Sequence, residues 1–204
     1  FCDFVKDMPI FSGGDFSEFR PCFAFGDQRH SEWSDDETRS WLLSEFGSEE
    51  KVQKLLDSYH ILFPGKPDYA LYFFGYQFRA IGEAVDNILS DIGAKVYSYV
   101  FAYESPVNGS TLPFHCYELY WFFNNVDTIE GRDCCGTGPR GLEIQNEITD
   151  ALINFMYTGS MSTANLPWDL YNRQEKKIMI FDNNCSECRS WTELDNFLKI
   201  VSEN

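Results

Sequence analysis

Two segments of the chain carry residue types suited to acid–base chemistry. Gly13-Gly14-Asp15-Phe16-Ser17-Glu18 lies just past a first strand-like run, and Leu112-Pro113-Phe114-His115-Cys116-Tyr117-Glu118 lies past a later one. His115 is reached through a loop that includes Pro106 and Asn108-Gly109. An imidazole in such a place serves as a general base near neutral pH. It needs a carboxylate to hold its tautomer and to stabilise the imidazolium that forms. Glu18 qualifies by position, because sites in open α/β sheets collect at the carboxyl ends of strands. The chemistry implied is general-base catalysis by a carboxylate-held imidazole. The nucleophile itself is missing: no G-x-S-x-G occurs in the 204 residues. Ser17 follows Phe16 and lacks the elbow glycines, and Ser160 in Gly159-Ser160-Met161 lacks the second glycine and follows a helix.

The remaining titratable and thiol groups read differently. His30 stands among polar residues of a surface loop, and His60 falls at the end of a helix; neither is assigned a role. Asp35, Asp36 and Glu37 are consecutive and cannot converge on one ion, so helix capping explains them. Seven cysteines, an odd number, cannot all pair within one chain. Reduced thiols in a cytoplasmic protein are the simpler reading. Cys185-Ser186-Glu187-Cys188 has the C-x-x-C spacing of redox and zinc sites, but only Cys134-Cys135 accompanies it, and a zinc site needs a second pair at the right spacing. No metal and no cofactor is expected.

Elements that position these residues follow from periodicity. Phe4 to Ser12 reads as a strand ending at Gly13-Gly14. Ser34-Asp35-Asp36-Glu37 is a capping box that opens a helix with Trp41, Leu42 and Phe46 on one side. A second helix starts near Ser48, with Val52, Leu55, Leu56 and Tyr59 as its stripe, and ends at Pro64-Gly65. In what reads as the longest helix Phe74, Phe78, Ile81, Val85, Ile88 and Ile92 recur at steps of four and three, which predicts a core-facing stripe. Gly93 stops it before a strand at 95–103. There Tyr97, Tyr99, Phe101 and Tyr103 alternate with Val96, Ser98, Val100 and Ala102, so both faces look covered. A Gly-rich loop from Gly131 to Gly141 precedes a helix with Ile144, Ile148, Ala151, Leu152 and Phe155 in line and Gly159 as its cap. Lys177 to Phe181 reads as a short strand. A last helix opens on a second capping box, Ser190 to Glu193, and packs through Trp191, Leu194, Leu198 and Val201. The order is α/β in character, with no repeat and no linker that would divide residues 1–204 into two domains.

Composition agrees with a single sizeable domain. Aromatics make up 17% of the 204 residues, enough apolar area for a real core. The formal net charge of −16 disfavours nucleic acid, whose phosphates need a basic face, and anionic membranes alike. No run reaches 18 apolar residues, so no transmembrane helix is expected, and no signal peptide is visible.

Taken in order, the segments resemble the C-terminal part of the type-B carboxylesterases, the family of para-nitrobenzyl esterases and cholinesterases. Asp7-Met8-Pro9-Ile10 through Glu18-Phe19 is similar to the segment that carries the family's triad acid. Phe78-Arg79-Ala80 resembles the opening of a long helix, and Val96 to Pro106 the strand before the histidine loop. His115 with Glu118-Leu119 and Phe122 or Phe123 resembles the histidine block. Ala151 to Gly159 with Pro167-Trp168 and Tyr171 resembles the closing helix and its Trp-containing loop. Each block alone is weak; five in register are specific. Cys116 departs from the pattern, standing where the family has glycine, and Phe114 takes a position often small.

The resemblance implies an α/β-hydrolase fold, of which this chain holds the C-terminal part: a few central strands with packing helices. It implies Glu18 as triad acid, His115 as general base and Glu118 as a structural carboxylate. The expected function is part of a serine carboxylesterase that hydrolyses small-molecule esters through an acyl-enzyme, with this chain inactive alone because serine and oxyanion loop are elsewhere. Phe16, Phe19, Phe114 and Tyr117 are either pocket lining or core, core being the simpler reading. A non-catalytic adhesion or binding module of the same superfamily is the alternative. Half of such a fold exposes a sheet edge and an apolar face, which either the missing N-terminal half or a second copy of the chain is expected to cover.

Overall fold

The computed structural model of the chain describes residues 3–18, 33–107, 112–136 and 138–203. Four strands form one sheet in the order β1 (Pro9–Asp15), β2 (Lys95–Phe101), β3 (Lys177–Phe181), β4 (Ser186–Ser190). The first three are parallel, with Gly13 opposite Tyr99 and Tyr99 opposite Met179; β4 returns antiparallel beside β3. Helices lie on both faces, as parallel strands require. They are α1 (Asp35–Phe46), α2 (Glu49–Leu62), α3 (Tyr76–Asp91), α4 (Leu119–Phe122), α5 (Ile129–Cys135), α6 (Pro139–Thr158) and α7 (Glu193–Ser202).

Alternation in β2 divides the core as its sequence predicts. Val96, Val100 and Ala102 join a cluster with Leu55 and Tyr59 of α2, Phe74, Trp191, and Leu194 and Phe197 of α7. Tyr97, Tyr99, Phe101 and Tyr103 face the other way, onto Trp121, Trp168, and Ile144 and Ile148 of α6. The local signals at three helices also hold. Ser34 and Glu37 close their capping box on α1, and Ser48 caps α2 by accepting from the Lys51 amide. Gly159 ends α6 in the left-handed region, at φ 76°.

Four expectations need correction. The first strand begins at Pro9, after a 3-10 turn over Asp3–Asp7, and runs through Gly13-Gly14 instead of stopping there. Glycine keeps it in the sheet because the Tyr99 ring lies on Gly13: a Cβ there would sit 2.1 Å from the ring. Gly131 opens no loop; it is in α5, where its amide donates to the Thr128 side chain. Ser190 caps nothing: it ends β4, unforeseen because its sequence is polar, and its hydroxyl donates to the Glu175 carbonyl.

The fourth correction is the largest, and it concerns α3, which at 16 residues is also not the longest helix, α6 having 20. The apolar stripe of α3 faces outward: Phe78, Ile81, Val85, Ile88 and Ile92 are between 40% and 64% exposed. The face against the sheet is polar, with Glu83, Asp86 and Asn87 buried beside Leu89. Each buried polar group there has a partner. Asp86 accepts from Ser12 Oγ at 2.5 Å and Ser98 Oγ at 2.6 Å, Glu83 meets Lys176 Nζ at 2.5 Å, and Asn87 accepts from the Tyr171 hydroxyl at 2.9 Å. Periodicity identified the two faces correctly; partners elsewhere in the chain decided which one turns inward. On the opposite side of the sheet Ile153, Met156 and Tyr157 of α6 are also exposed. Among the described strands none pairs with the outer edge of β1, which lies between these two apolar faces.

Candidate active site

The carboxyl ends of β1 and β2 bring the two sequence-predicted residues together. Beyond Asp15 the chain turns, and backbone bonds hold that turn from three sides. Phe16 N donates to the Phe101 carbonyl at 2.8 Å, Ser17 N to the Pro113 carbonyl at 3.2 Å, and Gly75 N, just before α3, to the Phe16 carbonyl at 2.9 Å. His115 N donates to the Glu18 carbonyl at 2.8 Å, and the buried Ser17 hydroxyl also donates to Pro113. Ninety-odd residues of intervening chain are thus closed by a short lattice of amide bonds between the acid turn and the histidine loop.

Within this frame His115 Nδ1 lies 2.7 Å from Glu18 Oε2. The other oxygen, Glu18 Oε1, accepts from the Asp15 amide at 2.9 Å, so the carboxylate is oriented from behind. Glu18 is mostly covered and His115 about half exposed. A carboxylate on Nδ1 is the arrangement by which a histidine base is held in one tautomer. A second histidine–carboxylate pair, His60 Nε2 with Asp68 Oδ1 at 2.7 Å, lies at the end of α2 and uses the other ring nitrogen.

Glu118 lies on the histidine loop, three residues beyond His115. It is buried and its Oε1 accepts from the Tyr99 hydroxyl at 3.2 Å. The sequence reading missed Asp15, the residue that ends β1. Asp15 is buried, its Oδ2 accepts from the Tyr117 amide at 3.2 Å, and burial above all, then Glu118, holds its carboxyl well above the usual range. Its one sequence signal was an acid directly after two strand glycines. Cys116 adopts φ 67°, the left-handed region that suits glycine and strains other residues. Phe16 and Tyr117 belong to the core on opposite sides of the sheet, and Phe114 stacks on Tyr117 with ring centres 4.6 Å apart. Phe19, like His30, Cys2 and Cys22, lies outside the described residues.

Gly14 keeps this geometry possible, since a Cβ on it would lie 2.3 Å from Glu18 Oε1. Gly14→Ala is therefore expected to push the carboxylate off the Asp15 amide and off His115. The His115 ring proton resonance at Nδ1, followed by NMR, should lose its carboxylate-bonded position in this variant while the fold persists. An unchanged resonance would mean that the turn relaxes around the methyl group.

Cys116, Cys134, Cys135, Cys185 and Cys188 are unpaired, and no group of three metal-binding side chains occurs among the described residues. Cys185 is exposed in the β3–β4 turn, whereas Cys188 sits in β4 opposite Met179 and packs on the tyrosine-rich side of the core. No helix among the described residues is long and apolar enough to cross a membrane.

No family model and no curated protein matches the chain. Solved structures do. An esterase of Clostridium hathewayi, described as able to hydrolyse aliphatic aromatic polyesters, superposes with a TM-score of 0.85 at 24% identity, over 98% of this chain and 38% of its own. A carboxylesterase of Geobacillus stearothermophilus gives 0.61 at 22% identity, over 95% and 40%. A thermophilic PNB esterase gives 0.59 at 20%, over 94% and 38%. The chain therefore has the α/β-hydrolase fold over the part it contains, and it spans about two-fifths of the length of these esterases.

Proposed function

We propose that this chain is the acid- and histidine-bearing portion of a serine carboxylesterase, and that it hydrolyses carboxylic esters once a serine is supplied from outside its 204 residues. The observation that carries this reading is the Glu18–His115 pair, 2.7 Å apart through Nδ1 at the carboxyl ends of two parallel strands. In the reaction, His115 Nε2 takes the proton of the serine hydroxyl as its oxygen attacks the ester carbonyl. The imidazolium, held by Glu18, returns that proton to the leaving alcohol and an acyl-enzyme remains. Water, activated by the same nitrogen, then releases the acid and restores the serine.

The partner this reading requires is the serine-bearing remainder of the fold. What supports this reading is the outer edge of β1, with which none of the described strands pairs, flanked by the apolar stripe of α3 on one side and Ile153, Met156 and Tyr157 of α6 on the other. A cleft of about 200 Å³ runs along this edge between Gly14, Glu18 and the α3 residues Phe78, Arg79 and Val85, so a strand seated there reaches the acid.

The chain alone, given p-nitrophenyl acetate, is expected to hydrolyse it no faster than its own His115→Ala variant. Coexpressed with the serine-bearing remainder it should gain His115-dependent turnover. Ile81→Glu with Ile88→Glu, both on the exposed stripe, should block that gain while the chain stays folded. His115-dependent turnover by the chain alone would refute the divided site. Assembly without turnover, with another residue in place of the serine, would identify a binding module instead.

A further inference from the structure

Behind the dyad lie two carboxyl groups whose charges have no obvious means of support. Asp15 and Glu118 are 6% and 9% exposed. One oxygen of each has a donor: Tyr117 N for Asp15 Oδ2 and the Tyr99 hydroxyl for Glu118 Oε1. The other two, Asp15 Oδ1 and Glu118 Oε2, are buried with no donor at all. Two buried, donorless carboxylate oxygens on neighbouring groups are costly when both groups are ionised, because like charges repel in a low dielectric and neither oxygen recovers the hydrogen bond it had in water.

Among the described residues the surroundings offer no relief. Glu18 adds a third carboxylate, and it acts on Asp15 with the same sign as Glu118. His115 is committed to Glu18. Tyr99 on β2 is a neutral phenol, kept so by burial and by these same acids, and the Cys116 thiol is raised by burial and then by Glu118 and Glu18. Arg79 on α3 lines the cleft with Asp15 and Glu18, but its guanidinium is bound to Asp86, Ser98 Oγ and the Tyr99 carbonyl. One proton solves the problem: it removes a charge and provides the missing donor in a single step.

We infer that Asp15 and Glu118 hold one proton between Asp15 Oδ1 and Glu118 Oε2, and that this acid pair is a positioning element locking the histidine loop to the end of β1. The position of Asp15 makes the lock effective. Its backbone amide holds Glu18 Oε1, and its side chain grips the loop at Tyr117 and, through the shared proton, at Glu118, three residues beyond His115. The proton belongs to the pair, as in other coupled acids. Because the folded chain binds this proton more tightly than the unfolded chain, the stability it confers is present at acid pH. That stability is lost as pH rises from the ordinary carboxylate range through the raised folded value.

The test uses this chain itself, with readouts that need no esterase activity, so it stands or falls separately from the function proposed above. Infrared spectra at neutral pH should contain a protonated-carboxyl C=O stretch. Asp15→Asn should abolish that band yet keep the fold, because the amide accepts from Tyr117 N and donates to Glu118 as the protonated acid does. Over the window in which the pair titrates, the wild-type unfolding constant should rise with pH by up to about tenfold per unit relative to Asp15→Asn, the slope of one proton. Asp15→Ala should be less stable than Asp15→Asn. Absence of the band in the wild type, or an Asp15→Asn variant as unstable as Asp15→Ala with the wild-type pH slope, would overturn the proposal.

Discussion

In a polypeptide that carries both the serine and this chain, His115→Ala is expected to lower kcat for p-nitrophenyl acetate by roughly a million-fold, with KM little changed. The size follows from the role: without the imidazole no group removes the serine proton, and none protonates the leaving alcohol. Glu18→Gln should cost about 10⁴-fold, because an amide can donate to Nδ1 and so favour the wrong tautomer. The two act as one unit, joined at 2.7 Å, so the double variant should be no slower than His115→Ala alone. A stopped assay with purified variants checks all three. A kcat within tenfold of wild type for His115→Ala would remove His115 from the chemistry.

The second large effect concerns stability. Asp86→Ala is expected to destabilise the fold by about 3–5 kcal/mol, the range for breaking a buried ion pair by removing one partner. Asp86 is fully buried and accepts from Arg79 Nη2 at 3.1 Å as well as from Ser12 and Ser98. Its removal strands a guanidinium that is 9% exposed, whose Nε already lacks a partner, together with two hydroxyls. Arg79 lies over the Trp191 ring, 5.7 Å from its centre, so urea unfolding followed by tryptophan fluorescence reads the change directly. Asp86→Leu combined with Arg79→Met should cost less than Asp86→Ala, since the unpaired charge goes with its partner. A loss below about 1 kcal/mol for Asp86→Ala would mean that water reaches Arg79. The network matters for the site because it clamps α3 to β1 and β2, and the residue preceding α3, Gly75, backs the acid turn.

Local signals and long-range ones were unequally legible. The helix over Glu49–Leu62 was readable to within a residue, because Ser48, its apolar stripe and Pro64-Gly65 are all near neighbours in the chain. The strand over Lys177–Phe181 was readable for the same reason. At Gly13-Gly14 the same kind of reasoning failed, since the ring that makes glycine necessary there belongs to Tyr99, 86 positions away in the chain and opposite in the sheet. Ser190-Trp191-Thr192-Glu193 had the spacing of a capping box, but the β4 ladder and the Glu175 carbonyl claimed Ser190 first. Asp15 escaped notice because nothing local distinguishes it from a solvated turn acid. Its burial depends on Tyr117 and Glu118 being carried to it by another loop.

By itself the sequence determined which side chains are available for chemistry, that an acid precedes the histidine, that no G-x-S-x-G occurs in the 204 residues, and how each helix and strand divides into two faces. Those are properties of residue type and of periods two and 3.6, which neighbours in the chain set. Only the tertiary structure decided which face turns inward, and for α3 it chose the polar one. It also decided that Glu18 meets Nδ1 of His115, and that Asp15 and Glu118 are both buried. The physical reason is the same in each case: the free energy of burying a charged group is set by the partners that surround it, and those partners come from strands and loops distant in sequence.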